Sequence, residues 1–169
     1  MKLLCIADMH LGRVPSRLHE ELYEQVASLG PAAAWRRAVD LALTEQVTAV
    51  LLAGDLVDGG NDFFEAFAHL RDGVRRLTEQ GVQVVAVAGN HDPEVLARLV
   101  QVVPEVRLLG AGGTWECCDL QSATGARVRV VGWSFPRRWV EERPLAGGEL
   151  VSALVEAAGS APQPLTTLG

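Results

Sequence analysis

The chain has too few cysteines for a disulfide framework and no cysteine spacing that suits structural zinc, since Cys5 lies in an apolar run and Cys117 and Cys118 are adjacent. A reducing, cytoplasmic setting is expected. The start of the chain holds one lysine and a short apolar run that meets Asp8 at once, so it lacks the apolar core of a secretory signal. No stretch approaches the ~20 apolar residues that span a bilayer. An excess of basic residues is also missing, with Lys+Arg 15 against Asp+Glu 21. Net charge therefore gives no argument for nucleic-acid binding, and any such face must be local. The basic pairs Arg36-Arg37, Arg75-Arg76 and Arg137-Arg138 read as solvated faces. There is no internal repeat and no coiled-coil period, and low complexity is confined to the tail. What remains, 169 residues with 49% hydrophobic content, suffices for one sizeable core.

Three short apolar runs, Leu3 to Ala7, Ala49 to Ala53 and Val82 to Ala88, read as strands buried on both faces. Helical patterns lie between and after them. One runs from Pro31 to Gln46 with Trp35, Val39 and Ala42 on one face. The next is expected to open on an Asp62/Glu65 cap and carries Phe63, Phe67, Leu70, Val74 and Leu77 in one stripe. The third starts at Asp92-Pro93, with Asp92 as its cap, and stops at Pro104. This alternation predicts parallel β-α-β units with right-handed crossovers. Shorter strands near Val106 to Leu109, Thr114 to Leu120 and Arg127 to Trp133 look like antiparallel additions, and a helix is expected around Glu149 to Ala158. The chain reads as a single domain, residues 1–169, with a motif-bearing core to residue 136 and a helix and tail over 137–169.

Polar clusters follow each of the first three strands: Asp8-Met9-His10, then Gly54-Asp55-Leu56-Val57-Asp58, then Gly89-Asn90-His91-Asp92. In parallel sheets, sites form beyond the carboxyl ends of the strands. Asp8 and His10, two apart on an extended segment, would point the same way. Asp55 can offer two oxygens, Asn90 a neutral carbonyl oxygen and His91 an imidazole able to pass a proton. Gly54 and Gly89 allow sharp turns and close approach. Each motif alone is ordinary turn chemistry. Their fixed order at three successive strand ends is what points to a site. Oxygen and imidazole donors without thiolates suit Mn²⁺, Fe²⁺ or Zn²⁺ in a catalytic role. Two such ions would activate a water and stabilise an in-line displacement at phosphorus, with His91 protonating the leaving oxygen.

Asp8-x-His10, Gly54-Asp55-x-x-Asp58 and Gly89-Asn90-His91-Asp92 resemble the first signature blocks of the calcineurin-like metallophosphoesterases, over Lys2 to about Pro136. The resemblance implies an α/β four-layer sandwich, two mixed β-sheets flanked by helices. It also implies that Asp8, His10 and Asp55 hold one metal, that Asp55 and Asn90 share a second, and that His91 is catalytic. Asp58 reads as an outer acceptor and Arg13 as a phosphate contact. Ile6-Ala7-Asp8-Met9-His10-Leu11-Gly12-Arg13 is similar to the start of the SbcD-like DNA-repair nucleases. That likeness implies two divalent ions, Mn²⁺ foremost, cleavage of DNA phosphodiesters, and pairing with an SbcC-like coiled-coil ATPase.

The later histidine and the Gly-His-x-His block of that family are absent from this sequence, whose other histidines are His19, in the loop before the first helix, and His69, beside the helical stripe. The chain is therefore expected to be an N-terminal portion, incomplete at the C-terminus, with an unpaired sheet edge. Two rival functions stay open: a phosphatase or phosphodiesterase for a small nucleotide or a phosphoprotein, which the acidity favours, and a non-catalytic module, which the absent histidines favour.

Overall fold

A computed structural model describes residues 1–13, 22, 26–57, 63–136 and 155–156. The expected Asp62/Glu65 cap, Asp58, His19, Arg137-Arg138 and the helix around residues 149–158 fall outside what can be described there, apart from residues 155–156 of that helix. The elements run β1 (Leu3–Ile6), α1 (Val26–Leu29), α2 (Pro31–Thr44), β2 (Ala49–Ala53), α3 (Phe63–Thr78), β3 (Gln83–Val87), α4 (Pro93–Val102), β4 (Val106–Leu108), β5 (Trp115–Gln121) and β6 (Arg127–Trp133). Strands β1 to β4 form one sheet in sequential order, and every pairing in it is parallel. Strands β5 and β6 form an antiparallel pair.

The two faces of the parallel sheet follow the period of two along each strand. Val50, Leu52, Val84, Ala86 and Val106 face Trp35, Val39 and Ala42 of α2, Leu70, Val74 and Leu77 of α3, and Leu96 and Leu99 of α4 in one core. Ala49, Val85, Leu109, Cys118 and Leu120 form a smaller core, joined by Leu3, Leu51, Val87 and Val130, between this sheet and the β5–β6 pair. All three long helices thus share one face, as sequential right-handed crossovers require. The described residues account for three of the four layers of the expected α/β sandwich: helices, parallel sheet and antiparallel sheet.

Two strand expectations are corrected. β4 pairs with β3 in parallel and is no antiparallel addition, because it is reached through the α4 crossover and so enters the sheet in the same sense as the others. Among the described residues β1 lies at the edge of the sheet, and it is not buried on both faces: Leu3, Leu4 and Ile6 are half-buried and Cys5 is exposed. None of the three cysteines is in a disulfide.

The seam between α2 and α3 depends on Gly73. Trp35, 1% exposed, lies across this glycine and donates from Nε1 to the His69 carbonyl at 2.9 Å. A methyl at position 73 would overlap the indole, reaching Cε2 at 2.6 Å and Cζ2 at 2.8 Å. Glycine inside a helix costs about 1 kcal/mol relative to alanine, and here that cost is offset by the packing it permits. Gly73→Ala is expected to destabilise the fold by roughly 2 kcal/mol through overpacking, read as a lowered midpoint in urea. A stability gain, the usual result of Gly→Ala in a helix, would contradict this packing.

Candidate metal centre

At the carboxyl edge of the sheet the chain leaves extended geometry. Of the four non-glycine residues with positive φ among the described residues, three are Asp8 (52°), His10 (46°) and Asp55 (50°). The expectation that Asp8 and His10 converge through strand alternation is therefore corrected: they converge because both adopt the left-handed conformation. That conformation costs an L-residue about 1–2 kcal/mol and persists only where surrounding contacts enforce it. The enforcing contacts are visible. Asp8 N–H donates to the Gly54 carbonyl at 3.2 Å, His10 N–H to the Asp55 carbonyl at 3.0 Å and Leu11 N–H to the Leu56 carbonyl at 2.7 Å. A parallel bridge from Leu11 to Val57, both fully buried, closes the loop beyond the site.

One ligand atom from each of Asp8, His10 and Asp55 lies within 4.8 Å of the others. His10 and Asp55 are half-buried while Asp8 is exposed, so the cluster opens to solvent. The His91 ring stands edge-on to that of His10, with centroids 5.5 Å apart and planes at 80°. The backbone N–H of His91 donates to Oδ1 of Asp55 at 3.0 Å, which orients that carboxylate. Asn90 is half-buried in the same turn. Arg13 is exposed, and its backbone N–H donates to the His10 carbonyl at 3.1 Å. Two carboxylates and an imidazole, with no thiolate, form a donor set that fits a divalent transition ion.

The loops after β2 and β3 touch through their glycines. Gly54 has φ +86°, and a Cβ there would lie 3.1 Å from Gly89 Cα. A Cβ on Gly89 would overlap Oδ1 of Asp55 and come within 2.6 Å of the Asp55 backbone nitrogen. Only glycine at 89 lets the third motif lie against the second.

Asp92 does not cap α4 as expected. It occupies the N-cap position, and its carbonyl accepts from Leu96 N–H at 2.7 Å, but its side chain makes no capping hydrogen bond. The carboxylate, fully buried, turns the other way. Oδ2 accepts from the N–H groups of Leu56 at 2.7 Å and Val57 at 3.2 Å, and Oδ1 accepts from Gly89 N–H at 2.8 Å. Burial pushes this carboxyl above the usual range, the three N–H donors oppose the rise, and the charge of Asp55 adds to it. Aspartate before Pro93 carries a strong local signal for a cap, and only the fold reveals the distant donors. Ser134, also not foreseen, ties the exit of β3 to the second sheet. Its hydroxyl accepts from Ala88 N–H at 2.8 Å and donates to the Leu109 carbonyl at 2.6 Å.

A groove of about 560 Å³ opens elsewhere, beside Gln46, Thr48, Gly81 and Gln121 at the amino ends of β2 and β3, and none of the motif residues lines it. The polar cluster of Asp8, His10 and Asp55 lies at the opposite sheet edge.

The model of the calcineurin-like phosphoesterase family matches residues 1–165. The DNA double-strand break repair protein Mre11 of Sulfolobus acidocaldarius is 32% identical over 95 residues, 54% of this chain and 22% of the relative. The uncharacterized metallophosphoesterase YhaO of Bacillus subtilis is 36% identical over 89 residues, 51% of this chain and 22% of the relative. A component of the nuclease SbcCD of Rhodobacter capsulatus is 35% identical over 99 residues, 55% of this chain and 22% of the relative. Each alignment thus takes in 22% of the relative's own length. With the family model matched along nearly all of the sequence and the Asp-His-Asp cluster assembled at the sheet edge, this chain belongs to the calcineurin-like phosphoesterase family.

Proposed function

We propose that this chain is the metal-binding portion of a DNA phosphodiesterase of the repair-exonuclease kind, in which Asp8, His10 and Asp55 hold one divalent ion and Asp55 and Asn90 share a second. The observation that carries the reading is the convergence of Asp8, His10 and Asp55 ligand atoms within 4.8 Å, with the His91 ring beside them. Mn²⁺ is the favoured ion, with Fe²⁺ or Zn²⁺ compatible with the same donors. When bound, such ions supply Lewis-acid polarisation of a phosphoryl oxygen and an activated water. The chain's own part is to hold the site open to solvent on the Asp8 side, to orient Asp55 through the His91 amide, and to present His91 as proton donor to the leaving oxygen. Arg13, exposed after the first motif, is the proposed phosphate contact, and Asp58 the proposed outer acceptor. The repair and nuclease relatives support DNA as substrate, and the likeness of the first motif to the SbcD-like nucleases favours an SbcC-like coiled-coil ATPase as partner.

The net charge of −6 favours a second reading, a phosphodiesterase for small substrates. The two are separated by offering the purified protein, with Mn²⁺, linear duplex DNA and a small aryl phosphodiester. Shortening of the DNA from its ends is expected. Cleavage of the small ester with DNA left intact would overturn the nuclease reading, and no cleavage of either would favour a non-catalytic module.

A further inference from the structure

The acid of each motif loop accepts the backbone of the other. Asp55, in the loop after β2, accepts the amide of His91 at 3.0 Å, and Asp92, in the loop after β3, accepts the amides of Leu56 at 2.7 Å and Val57 at 3.2 Å. Asp92 also closes its own turn through Gly89 N–H at 2.8 Å. From this reciprocal exchange we infer that Asp92 is a positioning residue, one that touches neither ion nor substrate and sets the spacing between Asp55 and His91. The inference rests on the metal-centre reading given above.

The geometry supports a positioning role in preference to general support of the fold. The amides that Asp92 accepts follow Asp55 directly, and the turn it closes carries Asn90 and His91. A carboxylate has acceptor capacity for all three donors and no proton to offer. Asparagine keeps the shape but must turn its NH₂ toward one set of amides, donor against donor. The loop on that side would then move, carrying Asp55 or His91 with it. Serine or alanine could not span both loops at all.

The test is a Mn²⁺ titration of the whole chain, following free Mn²⁺ by electron paramagnetic resonance, for the unaltered protein, Asp92→Asn and Trp35→Phe. Trp35→Phe removes the partly buried hydrogen bond to the His69 carbonyl in the α2–α3 seam and serves as a control for loss of stability alone. Asp92→Asn is expected to bind Mn²⁺ about 10–100-fold more weakly at a temperature where circular dichroism shows it folded, as is usual when a group behind the ligands is lost. Trp35→Phe should bind as the unaltered protein does. Equal affinity in folded Asp92→Asn, or an equal loss in Trp35→Phe, overturns the inference while leaving the metal centre intact. If the unaltered protein itself takes up no Mn²⁺, the metal-centre reading falls. Should Asp92→Asn fail to fold, hydrogen exchange in the unaltered protein decides. The amides of Leu56, Val57 and Gly89 are expected to slow together when Mn²⁺ is added, and exchange that ignores the ion at all three overturns the inference.

Discussion

Asp55→Ala is expected to abolish metal uptake, measured as metal per protein after desalting from excess Mn²⁺. Asp55 belongs to the one cluster of converging ligand atoms found among the described residues, and its removal leaves Asp8 and His10 alone. The same substitution strands the His91 amide, which loses its acceptor, at a cost of about 1–3 kcal/mol. A comparison with Asp55→Gly separates chemistry from backbone strain. At φ 50° alanine is strained and glycine is not, so the glycine variant should be the more stable of the two by roughly 1 kcal/mol. Both should be without metal. Unchanged occupancy in either variant would sink the assignment of this site.

The second large effect comes from adding a single methyl group. Gly89→Ala places a Cβ on the Asp55 carboxylate and 2.6 Å from the Asp55 backbone nitrogen. Rotating the carboxylate away relieves only the first clash, because the second is with main chain. The loops after β2 and β3 must separate, breaking the amide bonds to Asp55 and Asp92 together. Destabilisation of roughly 3 kcal/mol and loss of metal binding are expected, read from a thermal melt and a Mn²⁺ titration on the same sample. A melt and a titration that both match the unaltered protein would show that the two loops do not approach as described.

Much of this was legible in the sequence, and the failures have physical causes. Apolar runs ended by polar clusters located β1, β2 and β3; burial between neighbouring strands accounts for the run at β2 and β3, whereas β1 carries the same signal while only half-buried. The face of α2 was read from Trp35, Val39 and Ala42, all buried as expected. The sense of β4 was missed: its three residues, Val106–Leu108, carry no pattern that distinguishes parallel from antiparallel pairing, and the signal lay in the helix expected before it, whose crossover makes the strand parallel. The exposure of Cys5 was hidden for a related reason: an edge strand and a central strand can have the same composition, and the difference lies in which neighbours arrive. At the site, the grouping of Asp8, His10 and Asp55 was foreseen, but the mechanism was not. Left-handed φ values at two aspartates and a histidine leave little trace in sequence, because these residue types tolerate that conformation and also occur widely outside it. Asp92 misled because the local preference for a cap and the distant demand for an acceptor call for the same residue.

The pinning of the first motif onto the second also has a kinetic consequence. Asp8 and His10 are held in their left-handed geometry by amide bonds to Gly54 and Asp55, so the cluster as it stands requires β1 and β2 to be paired. That pairing closes a parallel crossover through α2, a long-range event of the kind that slows folding. The nascent chain therefore carries every donor of the Asp-His-Asp cluster by residue 55 yet has no cluster to offer an ion until the sheet has closed. If the cluster takes an ion, the rate of its uptake during refolding is expected to report the closing of β1 onto β2.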